Sequence, residues 1–271
     1  MGVAGGVVLG RQLGELALER KIPMRPFSAI IRSLLPPPVL QACRRYKMKH
    51  GNLQYKALTT KQIFTKIYEE GTWGKAGDPS QRFYSGSGSH DQSVVGTYVN
   101  GIRTYLSTFE ARPSVVDLGC GDFHVGSQIR SLCARYIACD IVEPLIVFNK
   151  EKYRALDVDF RVLDITRDEL PSADIVFVRQ VLQHLSNKQI LKALPQISCK
   201  YRYLVLTEHQ PGTDVFVPNL DKAVGADFRA KVNSGIILTR KPFNLKVKSE
   251  RRLCEVPEHG GRVVTIVYEL A

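Results

Sequence analysis

Between Glu19 and Glu69 the chain contains no acidic residue. It also lacks any apolar run near the roughly 20 residues of a membrane-spanning helix. Its six cysteines (43, 120, 133, 139, 199 and 254) form no CxxC pair, and no internal repeat is present. Each absence excludes something. Without a long apolar run, a soluble chain is expected. Without paired cysteines, neither a disulfide framework nor a zinc site is expected, and reduced thiols suit a cytoplasmic setting. The opening MGVAGGVVLG stops at Arg11 and lacks a basic n-region and a cleavage site. A secretory signal is therefore not expected.

What fills the acid-free stretch is base. Eleven lysines and arginines, from Arg20 to Lys66, give residues 1–68 a charge of +10 out of the chain's +12. The basic character belongs to an N-terminal extension, with LLPPPVL as a rigid break, and not to the body at 69–271. Its bases are interleaved chiefly with aliphatic residues such as Ile and Leu, not with stacking aromatics. That pattern favours an anionic membrane surface contacted by residues 20–68, or a partner surface, over nucleic acid. The location this implies is cytoplasmic, peripheral to the inner membrane face.

Residues 69–90 are rich in Gly and Ser and hold the only tryptophan, Trp73. A loop this long implies function or disorder, and the closeness of Trp73, Phe83 and Tyr84 favours function. Ser89 and Gln92 read as a capping box opening a helix with Val95, Tyr98, Ile102, Leu106 and Phe109 on one face. Strand and helix signals then alternate: SVVDL, GSQIRSLCA, YIACD, EPLIVFNKEKY, DFRVLD, DIVFV, NKQILKALPQI, YLVLTE. A second capping box, Ser186 with Gln189, opens the last of these helices. The final stretches GIILTRKPFNLKVKSERRL and RVVTIVYEL read as strands with no helix between them. Alternation of this kind specifies a doubly wound α/β sheet.

In such sheets ligands bind beyond the carboxyl ends of the strands. The first strand ends in VVDLGCGDF, with Asp117, Gly119 and Gly121 where the chain must turn tightly toward a ligand. The second ends in Asp140, placed to accept hydrogen bonds from a ribose. The third ends in Asp164 and Ile165, an acceptor for an adenine amino group beside an apolar wall. A dinucleotide fingerprint needs a third glycine where His124 stands, which counts against a nicotinamide cofactor.

These motifs resemble those of the class I S-adenosylmethionine-dependent methyltransferases over residues 89–271. VVDLGCGDF is similar to the family's first motif, YIACDI to its second, RVLDIT to its third and ADIVFVRQVLQHLSNKQI to its fourth. The resemblance implies a Rossmann-like seven-stranded sheet in the order 3-2-1-4-5-7-6 with strand 7 antiparallel, preceded by the N-terminal extension. It implies S-adenosyl-L-methionine held by Asp117, Gly119, Gly121, Asp140, Ile141, Asp164, Ile165 and Arg179. Phe123 departs from the commoner third glycine. The resemblance also makes 69–90 a lid, offering Trp73, Arg82, Tyr84, Ser87 and Ser89 to the cleft.

For the acceptor side, His184 and His209 are the candidate proton acceptors. Tyr84, Glu208 and Arg229 are candidate acceptor contacts, and no metal ligand set is expected. The segment 217–235, inserted after the fifth strand, offers Asn219, Asp221, Asp227 and Arg229 to a polyhydroxylated acceptor. The expected activity is O-methylation of a small molecule or saccharide. A nucleic-acid methyltransferase is the alternative, but no Asn-Pro-Pro-Tyr or Pro-Cys motif is present. A non-catalytic binding protein is a further alternative, disfavoured by the intact acids at all three cofactor positions.

Overall fold

A computed structural model describes residues 36–51, 53–78 and 81–271. By compactness the chain divides at Cys43/Arg44. Of the first part, only the start of helix α1 (Pro37–His50) is described. The calls made on residues 1–35 lie outside the described residues. Of the LLPPPVL stretch, residues 36–40 are described and open α1, where prolines cost a helix least because the first N–H groups have no partner in it.

The body is a seven-stranded sheet in the order β3-β2-β1-β4-β5-β7-β6. Its strands are β1 (Ser114–Leu118), β2 (Arg135–Asp140), β3 (Asp159–Val162), β4 (Ile175–Arg179), β5 (Tyr203–Pro211), β6 (Val247–Glu258) and β7 (Gly261–Leu270). The first five are parallel and β7 runs antiparallel to both neighbours. Val115, Val116 and Leu118 are fully buried, as a central parallel strand covered on both faces demands. On one face Val116, Leu118, Val176 and Leu204 meet Ile190, Leu194 and Ile197 of helix α6 (Asn187–Lys200). On the other, Val115, Ile175, Phe177 and Val205 meet Val95, Tyr98 and Ile102 of α3 (Gln92–Leu106). Helix α2 (Thr60–Glu69) precedes α3, and α4 (His124–Ile129) and α5 (Glu143–Lys152) follow β1 and β2.

Phe123 takes the place of a third glycine by adopting the left-handed conformation itself, at φ 60°. Its buried ring packs edge-on against Tyr136, Tyr153 and Phe160. The room it needs comes from Gly126, where a Cβ would lie 2.2 Å from the ring.

Two local expectations need correction. The cap of α3 is Asp91, whose carboxylate accepts the Ser93 N–H at 2.8 Å, and not Ser89. Ser89 instead closes a single 3-10 turn, Ser87–Ser89. Within GIILTRKPFNLKVKSERRL, pairing begins only at Val247. The residues before it form turns that bury Ile236, Leu238, Phe243 and Leu245. The Ser186–Gln189 capping box of α6 is present as expected.

Candidate functional site

The carboxyl ends of β1 to β5 open into one cleft of about 390 Å³, a size suited to a small ligand. Asp117, Gly119, Gly121, Asp140, Ile141, Asp164, Ile165, Arg179, His184 and His209 all line it. The two glycines have φ of +80° and +56° and admit close neighbours. A Cβ on Gly119 would lie 2.3 Å from Val181, and one on Gly121 would lie 2.5 Å from the Ser85 hydroxyl.

The acids differ in surroundings. Asp117 accepts a hydrogen bond from the Tyr136 hydroxyl at 3.0 Å, and burial pushes its pKa up to about 7. Asp140 accepts the N–H groups of Gly121 (3.1 Å) and Val142 (3.0 Å), which tie β2 to the glycine turn. Burial still raises its pKa to about 6. Asp164 accepts from the Thr166 N–H and hydroxyl at 2.8 and 2.7 Å, closing the turn after β3.

A fourth acid, Asp122, was not anticipated. It accepts the Ser85 N–H at 3.0 Å and meets His90 Nε2 at 2.6 Å, while its own N–H donates to Ser85 Oγ at 2.8 Å. Burial pushes its pKa up, but these bonds and His90 outweigh that and hold it below the usual value. Asp122 thus ties the segment around residues 85–90 onto the glycine turn. From the other side, Ser87 Oγ meets Glu258 Oε1 at 3.0 Å and His259 Nε2 at 2.8 Å. Trp73, Ser87 and Ser89 line the cleft, whereas Arg82 and Tyr84 do not. Arg82 lies over the Phe83 ring and Tyr84 stacks on His90 at 4.4 Å.

Over β4 and β5 the lining becomes aromatic. Trp73 lies 5.1 Å from His184 and 6.2 Å from Phe64, and Phe228 lies 4.5 Å from His209. His184 Nδ1 meets the Gly225 carbonyl at 3.3 Å, so that nitrogen carries the proton. Its Nε2 meets Gln183 Nε2 at 3.3 Å and accepts from it. Both ring nitrogens are therefore committed, and burial, aided by Lys222, pushes the pKa down to about 3. His184 is too weak a base for the role expected of it. His209 donates from Nε2 to the Glu258 carbonyl at 2.8 Å. This leaves Nδ1 as the acceptor nitrogen, although burial lowers its basicity. Gln183, also unanticipated, joins the two histidines by accepting the His209 N–H at 3.0 Å.

Glu208 and Arg229 do not line the cleft. Glu208 is buried behind it and accepts the N–H groups of Leu182 (2.8 Å) and Gln183 (3.0 Å). Burial pushes its pKa up to about 8. Arg229, fully buried, donates to the carbonyls of Leu220, Leu182, Gln183 and Leu185 and to Asn187 Oδ1. Both shape the turn after β4 from behind. Within 217–235, Asn219 bonds to the backbone of Ile237, and Asp221 to the Asn187 N–H. Only Asp227, paired with Lys231 at 2.6 Å, reaches the cleft from among the four polar residues expected there. Among the described residues, no group of three or more His, Cys, Asp or Glu stands together to hold a metal ion.

Residues 115–200 match the family described as methyltransferase domain. A comparison with curated proteins returns no match. Among solved structures, the chain is similar to a SAM-dependent methyltransferase from Leishmania major at TM-score 0.54 and 11% identity, covering 80% of this chain and 86% of that one. It is similar to magnesium protoporphyrin IX methyltransferase from Synechocystis PCC 6803, with bound SAM, at TM-score 0.52 and 14% identity, covering 80% and 99%. Human N-acetylserotonin methyltransferase, in complex with SAM, aligns at TM-score 0.51 and 17% identity, covering 85% and 65%. At these identities the likeness is one of fold.

Proposed function

We propose that this chain, which carries the methyltransferase domain over residues 115–200 in a class I methyltransferase fold, transfers a methyl group to an oxygen of a small-molecule or saccharide acceptor. The observation that carries this reading is the convergence of Asp117, Asp140 and Asp164, from three successive strand ends, on one cleft with Gly119 and Gly121. That donor set fits S-adenosyl-L-methionine. Asp140 suits the ribose hydroxyls, Asp164 and Ile165 suit the adenine, and Asp117 suits the ammonium group. The cofactor supplies an electrophilic methyl group on a sulfonium.

The chain's own part is alignment, exclusion of water and disposal of one proton. The segment 85–89, tied to Asp122 and to Glu258, lines the cleft. Phe64, Trp73 and His184 on one side and Phe228 with His209 on the other suit a flat ring or the apolar face of a sugar. Ser87, Gln183, Asp227 and Glu258 supply polar contacts for hydroxyl groups beside them. His209 Nδ1 is the proton acceptor best placed by its hydrogen bonds.

The exposed bases Arg44, Arg45, Lys47 and Lys49 of α1 support peripheral contact with an anionic membrane. Calorimetry with S-adenosylhomocysteine tests the cofactor, and transfer of labelled methyl to sugar and natural-product pools tests the acceptor. Absence of any S-adenosylhomocysteine binding would reject the reading outright.

A further inference from the structure

From Arg44 onward the chain belongs to the same compact unit as the cleft. Residues 44–56 hold the second half of α1 and a 3-10 turn, Leu53–Tyr55, and they pack on the loop 221–227. The Ala223 N–H donates to the Met48 carbonyl at 2.9 Å. A Cβ on Gly51 would lie 2.6 Å from the Ala223 Cβ, and one on Gly225 would lie 3.5 Å from the Tyr55 ring. The same loop walls the acceptor side of the cleft. Ala226 and Asp227 line it, the Ala226 carbonyl accepts from Trp73 Nε1 at 3.5 Å, and the Gly225 carbonyl meets His184. Burial pushes the Asp227 pKa up, but Lys231, and after it Lys47 of α1, outweigh this and hold it below the usual value. One thin loop therefore separates the acceptor side of the cleft from residues 44–56.

The outer surface of that segment is unusual. Arg44, Arg45, Lys47, Lys49 and Lys56 are exposed, and no acid interrupts them in the sequence. Among them two large side chains face solvent, Tyr46 at 68% and Leu53 at 75% exposure. Of the loop's two acids, Asp227 is paired with Lys231, and Asp221 accepts the N–H groups of Asn187 and Lys222. Bases set around exposed apolar side chains suit the headgroup layer of an anionic bilayer, where the charges meet headgroups and the apolar groups sink below them. Against a phosphate backbone alone, Leu53 would gain nothing.

We infer that residues 44–56 seat the acceptor side of the cleft on an anionic bilayer, and that the acceptor is an amphiphile whose ring or sugar headgroup enters the cleft while its apolar chain stays in the membrane. The acceptor part rests on the methyltransferase reading. Contact by the bases alone would leave the orientation open, and the packing of 44–56 on the loop fixes it.

The test uses the full chain and phosphatidylserine vesicles that carry a nitroxide quencher at the headgroup. Trp73, the only tryptophan, is half-buried in the cleft wall beside the loop. Its emission is expected to drop on binding these vesicles at low salt and to stay unchanged with phosphatidylcholine vesicles. Tyr46→Ser combined with Leu53→Ser is expected to lower vesicle affinity roughly tenfold or more while sparing S-adenosylhomocysteine. In a second arm, labelled methyl from S-adenosyl-L-methionine is offered to a total lipid extract of the chain's own cells and to their aqueous small-molecule pool, and label is expected in the lipid. Vesicle binding that leaves Trp73 unquenched would mean that another face meets the bilayer and overturns the inference. So does binding of RNA in place of vesicles, no vesicle binding at all, or unreduced affinity in the Tyr46/Leu53 variant. A lipid extract left unlabelled by a chain that binds S-adenosylhomocysteine overturns the acceptor class. Quenching needs no cofactor, so its outcome stands apart from the methyltransferase reading, which falls only if S-adenosylhomocysteine does not bind.

Discussion

Among the described residues, the Asp117 carboxylate accepts one side-chain hydrogen bond, from the Tyr136 hydroxyl, and burial holds its pKa at about 7. An ammonium group placed beside it favours the ionised carboxylate, so binding below pH 7 must expel a proton. Affinity for S-adenosylhomocysteine is expected to fall toward tenfold per pH unit below 7 and to level off above it. Asp117→Asn should flatten this dependence. Calorimetry in two buffers of different ionisation heat counts the proton, and none released near pH 6 would remove Asp117 from the ammonium. The sign for stability is opposite. The folded state keeps a proton that the unfolded chain gives up near 3.8, so this contribution declines as pH rises from there to about 7. His209→Asn, with acceptor in hand, is expected to lower turnover about 10²-fold while sparing cofactor binding. Unchanged turnover and pH profile would leave catalysis to alignment. Residues such as Asp117, Asp140 and Asp164 were legible because a carboxylate after an apolar strand is marked by its local sequence. Asp122 and Gln183 were not, because their partners Ser85 and His209 lie 37 and 26 residues away. Glu208 and Arg229 were misread because a polar side chain at a strand end or in a loop looks the same whether it faces a ligand or buried backbone groups.

At the scale of elements, the turn after β4 shows how buried polar groups build the cleft. Leu182–His184 is a single 3-10 turn, gripped by Glu208 at its N–H groups and by Arg229 at its carbonyls. Arg229→Met leaves three buried carbonyls and one part-buried carbonyl without a charged donor. It is expected to cost about 3 kcal/mol or more, since each such loss runs to about 1–3 kcal/mol and they are not fully additive. A urea midpoint within error of the wild type would show that the turn stands without Arg229. The segment 85–90 is held more locally. Asp122→Asn removes the charge that meets His90 at 2.6 Å, so the segment should open more readily and S-adenosylhomocysteine should dissociate faster. Trp73, the only tryptophan in the chain and part of the cleft wall, reports this by fluorescence. An unaltered dissociation rate would mean that Arg179 and Glu258 suffice to hold the segment.

For the molecule as a whole, alternating strand and helix patterns made the doubly wound sheet readable, because β1, β2, β4 and β5 carry apolar runs separated by helical spacings, and β1 to β3 lead into an acid or a glycine at their ends. Residues 217–246 escaped the same reading, since they are held by backbone hydrogen bonds to Asn219 and Arg229 and follow no periodicity. Charge asymmetry was legible in a different way: it describes a surface, not a fold. Arg44, Arg45, Lys47, Lys49 and Lys56 are exposed, and the Met48 carbonyl accepts the Ala223 N–H at 2.9 Å. Cutting the chain at residue 60 would therefore remove part of the body along with the charge. A combined Arg44→Glu, Arg45→Glu, Lys49→Glu variant is the cleaner test. Each base near an anionic leaflet contributes about 1 kcal/mol, screened beyond a Debye length. The wild type is expected to bind phosphatidylserine vesicles at low salt and to release them as salt rises. The variant should lose at least tenfold in vesicle affinity while keeping its affinity for S-adenosylhomocysteine. If the wild type ignores such vesicles at low salt, the bases do not serve a membrane. If it then binds RNA with a steep salt dependence, the acceptor is to be sought among nucleic acids.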